Sequence, residues 1–140
     1  MKPTIKKLVA SFAILAALYS FVPRPGGEGF EIYLNDKVLL QKFGTEMSEV
    51  SNLKLENASP AAKLIIKYHH CGKVGKNRMI VLKDATNRSL KEFHYPDVST
   101  PLGGMSLDLK EINNFRKNGV VKLAYLSTEL PNGRVLAIIQ

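Results

Sequence analysis

The sequence predicts an all-β chain, mainly strands with one short helix, built as an antiparallel β-sandwich of Ig-like or jelly-roll-like type and preceded by a hydrophobic N-terminal helix. Three observations carry that expectation. Short apolar runs alternate with a period of two residues. Clusters of Gly, Pro, Asn and Asp interrupt them about every eight to twelve residues. A helical spacing occurs only once, too little for alternating strands and helices around a parallel sheet.

The chain opens with Lys2, Lys6 and Lys7, followed by fifteen uncharged residues from Leu8 to Val22. An export leader has a charged start and an apolar stretch of about 7 to 15 residues, whereas a membrane-spanning helix needs about 20. Residues 1–22 therefore read as a signal peptide, with an uncleaved membrane anchor as the alternative, since Leu15 and Leu18 stand where a cleavage site prefers small residues. Either way the expected location is extracytoplasmic, periplasmic or secreted, with membrane contact only through that segment if it is retained. Pro23-Arg-Pro-Gly-Gly27 breaks the pattern, so 23–29 reads as a linker and 30–140 as one domain.

Phe30 to Leu34 alternates, Asn35 and Asp36 supply a turn, and Val38 to Phe43 resumes, which is the pattern of a β-hairpin. A two-residue loop would set Ile32 opposite Leu39. Leu53 to Leu55 is a short candidate strand before Pro60. Ala62 to His70 is clearer, with Leu64, Ile66, Tyr68 and His70 on one face and Lys63, Ile65, Lys67 and His69 on the other. Met79 to Lys83 and Leu90 to Tyr95 follow as strands, and residues 96–104, with two prolines and two glycines, form a loop. Met105, Leu107 and Leu109 alternate again. Asp108 with Glu111 three residues on has the form of a capping box, and Asn118-Gly119 the form of a left-handed stop, so Leu109 to Lys117 reads as the helix. Val120 to Leu126 and Arg134 to Ile139 close the chain as strands, with Leu130 to Gly133 as the turn between them.

Twenty Lys and Arg stand against 12 Asp and Glu, and without Lys2, Lys6 and Lys7 the excess is +5. That balance favours acidic partners: a cell-envelope protein, a polysaccharide or an anionic lipid. Nucleic acid is not indicated, because no basic helix or aromatic-rich basic stripe accompanies the charge. Cys71 is alone, so no internal disulfide is available in an oxidising compartment and the apolar core must carry stability.

Chemistry-bearing residues concentrate in Tyr68-His-His-Cys-Gly-Lys-Val-Gly-Lys-Asn-Arg78. Imidazole and thiolate suit copper or zinc, making His69, His70 and Cys71, with His94, a candidate metal set, although the spacings of zinc fingers and ribbons are absent. Lys73, Lys76 and Arg78 on the loop form a candidate anion or partner contact. The loop is not a nucleotide phosphate loop, since His70 replaces its first Gly and Asn77 its Ser or Thr. Cys71 as a nucleophile would require a positioned base, and no spacing provides one.

Together, Tyr68-His-His-Cys-Gly-Lys73, Ser89-Leu-Lys-Glu-Phe93 and Glu129-Leu-Pro-Asn-Gly-Arg134, following the export segment, resemble small exported bacterial proteins of uncharacterised function. The resemblance implies an extracytoplasmic, β-rich protein and assigns no site. The expectation is a non-enzymatic sandwich that binds a cell-envelope partner and needs no cofactor. The alternatives are a copper- or zinc-binding periplasmic domain and, behind it, a thiol-dependent enzyme.

Overall fold

The computed structural model describes residues 27–55, 58–100 and 103–140. The expected leader, residues 1–22, and the start of the linker lie outside the described residues. Within them the chain is mainly β: nine strands in two sheets, with one α-helix. They are β1 (Gly29–Leu34), β2 (Lys37–Phe43), β3 (Ser51–Leu53), β4 (Lys63–His69), β5 (Met79–Lys83), β6 (Ser89–His94), β7 (Met105–Asp108), helix α1 (Leu109–Arg116), β8 (Val121–Ser127) and β9 (Leu130–Ile139). One sheet runs β2-β1-β4-β7 and the other β3-β9-β8-β5-β6. No helix among the described residues is long and apolar enough to cross a membrane.

The alternation in β4 works as its sequence implies. Leu64, Ile66 and Tyr68 are buried while Lys63 and Lys67 turn outward. They meet Phe30 and Ile32 of β1 and Met105 and Leu107 of β7 on one side, and Ile80, Leu82, Leu123 and Tyr125 of the second sheet on the other. Burial of a branched or aromatic side chain stabilises by about 1.5 to 3 kcal/mol, so this one continuous core can replace the missing disulfide. Helix α1 closes one end of the core with Leu109 and Ile112, both fully buried.

Several expectations shift by a residue or two, each for a local reason. The first hairpin turns at Asn35, whose positive φ of 52° an Asn tolerates, but a bulge pairs Ile32 with Leu40 instead of Leu39. The final hairpin turns earlier than expected, at Thr128 and Glu129. Leu130 to Gly133 belong to β9, where extra residues bulge out so that Ser127 pairs with Leu130 and Tyr125 with Arg134. One pairing departs from the antiparallel expectation, β3 lying parallel to β9. Asp108 occupies the N-cap of α1 without a side-chain cap bond, and Glu111 reaches Lys91 at 2.8 Å instead of completing a capping box. Strand β1 starts at Gly29, where a Cβ would stand 2.1 Å from the Phe43 ring, so the close approach of β2 requires glycine there.

Candidate functional site

The strand ends gather into two poles of unlike character. At the first, β4 ends, β8 and β9 turn, and the chain enters through Glu28. Tyr68 of β4 and Tyr125 of β8 stack across the two sheets, their ring centroids 4.2 Å apart. Tyr68 donates its hydroxyl proton to Glu28 Oε1, while Arg134 donates from Nε to the Tyr68 hydroxyl oxygen at 3.1 Å and pairs through Nη2 with Glu28 Oε1 at 3.4 Å. Burial, aided by the Glu28 carboxylate, holds the Tyr68 phenol well above its ordinary range.

On the other side of the stack, the Tyr125 hydroxyl lies 2.8 Å from His70 Nε2 and the Ser127 hydroxyl 3.3 Å from the same nitrogen. A ring nitrogen offers one lone pair or one hydrogen, so the two hydroxyls share one position and the shorter contact dominates. Burial lowers the His70 pKa and raises that of Tyr125, which keeps both neutral at neutral pH. Gly75 covers the pair so closely that a Cβ there would stand 2.5 Å from the Tyr125 oxygen.

The loop 71–77 is pinned around this cluster. Thr128 N donates to Lys76 O at 2.8 Å, Lys76 N to the Glu129 carboxylate at 3.0 Å, Asn77 N to Asp97 at 3.0 Å and Asn77 Nδ2 to Thr128 at 2.9 Å. The arrangement acts as a clamp that fixes loop to sheet.

The structure brings few of the residues singled out in the sequence together. His70 turns inward to the clamp. His69 turns to the outer face, its Nε2 3.7 Å from Glu31 and its ring 5.5 Å from Phe43. Cys71 is exposed in a left-handed turn at φ 50°. His94 stands on β6 with Glu92 at 3.5 Å. Among the described residues no three His, Cys, Asp or Glu side chains are placed to hold a metal ion. Lys73 and Lys76 are exposed on the loop as the sequence suggests. Arg78 is not, and this corrects its place in the loop contact: it is buried and donates inward to Gly103 O at 2.8 Å and Pro96 O at 3.2 Å, tying Pro96 to Gly103.

The partners that complete the cluster, Tyr125, Ser127 and Glu129, follow His70 by more than fifty positions. The only signal for them in the sequence is a strand that keeps polar groups, Tyr125 and Ser127, on its inward-facing positions.

Charge separates the two poles. Around the clamp, Lys42, Lys73, Lys76, Arg78 and Arg134 face Glu28, Glu46, Glu49, Asp97 and Glu129, an even balance. At the opposite pole, Lys37, Lys54 and Lys63 mark the strand ends, Lys83, Arg88 and Lys122 surround the β5–β6 turn, and Lys110, Arg116 and Lys117 sit on or beside α1. Only Asp36, Asp84, Asp108 and Glu111 oppose these nine cations among the described residues. At this basic pole a cavity of about 180 Å³ opens between the 84–88 turn and the end of α1, lined by Asp84, Arg88, Leu90, Phe115, Asn118 and Val120. In the sequence none of these six is a candidate site residue: Asn118 reads as part of the helix stop, and Leu90 and Val120 as strand starts.

Compared with family models, with curated proteins and with solved structures, the chain has no match in any of the three.

Proposed function

We propose that this is an exported, non-enzymatic binding domain that holds an acidic component of the cell envelope through the basic pole beside α1. The observation that carries the reading is the one-sided charge: among the described residues, nine cations against four carboxylates at that pole, and balance at the other. A one-sided positive field raises the local concentration of polyanions and orients their approach. Export is supported by the charged and apolar pattern of residues 2–22. The contact first suggested by the sequence, the Lys73 to Arg78 loop, is less favoured because Asp97 and Glu129 bind its backbone and Arg78 is turned inward. The copper or zinc alternative gains no support from His69, His70, Cys71 and His94, which face separate surroundings.

We read the two sheets as a sandwich, since they share one core. An Ig constant-type domain pairs its strands A-B-E-D against C-F-G; the order β2-β1-β4-β7 against β3-β9-β8-β5-β6 is different, so the reading stays at sandwich.

The test compares two charge reversals, Lys110→Glu with Lys117→Glu and Lys73→Glu with Lys76→Glu, in binding to immobilised dextran sulfate. The first pair is expected to weaken binding at least tenfold and to flatten its salt dependence, with thermal stability unchanged. The reading fails if the loop pair has the larger effect or if the wild-type chain does not bind.

A further inference from the structure

We infer that the cavity between the 84–88 turn and the end of α1 is a subsite for one carboxylate-bearing sugar ring of an acidic polysaccharide. The inference rests on the basic-pole reading and gives it a ligand. Leu90, Phe115 and Val120, all half-buried, supply an apolar floor, whereas the exposed Arg88 and Asn118 supply a polar rim, with Asp84 half-buried behind Arg88. A uronate ring has the matching division, with apolar C–H faces and a polar edge of hydroxyls and one carboxylate. Its C–H face can lie on the floor while its edge meets the rim.

Arg88 is prepared for the carboxylate. Asp84 Oδ1 accepts hydrogen bonds from Thr86 N at 2.9 Å, Thr86 Oγ1 at 2.7 Å and Arg88 N at 3.0 Å, which fixes the backbone from which Arg88 projects. Asp84 Oδ2 accepts from Arg88 Nε at 3.2 Å, so among the described residues the guanidinium is bonded through Nε alone. Its side chain is 79% exposed. The two terminal nitrogens are thus presented at the rim, and a guanidinium edge pairs with a carboxylate through two parallel bonds. Beside it, Lys122 Nζ is held by Asn87 Oδ1 at 2.9 Å and Ala85 O at 3.3 Å, adding charge to the same turn.

The surroundings favour a polysaccharide over a bilayer. Surface helices and loops that bind bilayers combine basic charge with apolar side chains that insert. The exposed large apolar residues among those described are Val38, which follows Lys37 on β2, and Val50; one exposed valine at this pole is no inserting face, and neither lines the cavity. A flexible polyanion needs no insertion and can lay neighbouring units along the remaining lysines, whose exposed contacts are individually weak.

The test titrates the full chain with polygalacturonate oligosaccharides, dextran sulfate, neutral dextran and vesicles containing phosphatidylglycerol. The oligouronide is expected to bind in a salt-sensitive way and neutral dextran not at all. Arg88→Gln, an exposed change that leaves Asp84 and the turn in place, should weaken the oligouronide about tenfold and dextran sulfate less than threefold. Phe115→Leu, with the fold checked by thermal unfolding, should weaken the oligouronide and spare dextran sulfate. If both polyanions bind and neither variant separates them, the subsite is overturned and the basic-pole reading survives. If no polyanion binds, both fail. Tighter binding to the vesicles than to the oligouronide also overturns the proposal, in favour of a lipid surface.

Discussion

The Tyr68 and Tyr125 rings stack at 4.2 Å across the two sheets, while their hydroxyls serve different partners: Tyr68 bonds to Glu28 and Arg134, Tyr125 to His70. One aromatic contact therefore ties together the chain entry, the end of β4, the loop 71–77 and the last hairpin. Removing either ring disturbs both the apolar core and a polar network.

Tyr125→Phe keeps the stack and deletes the bond to His70, leaving Nε2 with the more distant Ser127 hydroxyl. It is expected to cost about 1 to 2 kcal/mol in urea unfolding. Tyr125→Ala removes the ring as well and should cost about 3 to 5 kcal/mol. Equal costs for the two variants would show that the ring contributes nothing beyond the hydroxyl.

Gly75→Ala should destabilise by about 1 to 3 kcal/mol, as overpacking does. The added carbon would stand 2.5 Å from the Tyr125 oxygen and 3.0 Å from His70 Nε2. In the double variant with Tyr125→Phe part of the penalty should be relieved, so the two changes are expected to be non-additive in a thermal-unfolding cycle.

The pH dependence follows from His70. Burial lowers its pKa in the folded chain below 6.5, so protonation favours the unfolded state. Its contribution is complete above the unfolded pKa and declines as pH falls below about 6.5 toward the lower folded value. Urea midpoints measured from pH 7.5 to pH 5 should therefore fall, and His70→Gln should make that fall shallower. An unchanged slope in the variant would assign the pH dependence to other groups.

Deleting Ala137 to Gln140 should abolish cooperative unfolding. Ala137 and Ile139 are fully buried, and the same residues pair with Leu123 and Val121 of β8 and with Ser51 and Leu53 of β3. The loss would separate β3 from its sheet. A sharp melting transition in the truncated chain would contradict this.

The strands were legible because burial on one face imposes a two-residue period. Leu64, Ile66 and Tyr68 point inward as the pattern of residues 62–70 requires, and Val121, Leu123 and Tyr125 do the same. The helix was legible from its Asn118-Gly119 stop, where Gly119 has a φ of 134°, although the Asp108 and Glu111 capping box expected at its start is not formed. The hairpin registers were not, because bulges near Leu39 and after Leu130 depend on pairing with a strand already in place, and nothing local counts the extra residue.

By itself the sequence determined the β-rich class, most strand positions, the inward and outward faces, the lone thiol and the excess of positive charge. Those properties depend on residues near one another along the chain, or on composition alone. Only the tertiary structure decided that Tyr125 and Ser127 meet His70, that Arg78 turns inward, and that a cavity lined from two distant segments opens at the pole where α1 and the more basic strand ends lie. The physical reason is separation: each of these depends on which strand ends the fold brings to the same pole, and sheet topology is set by the whole core together.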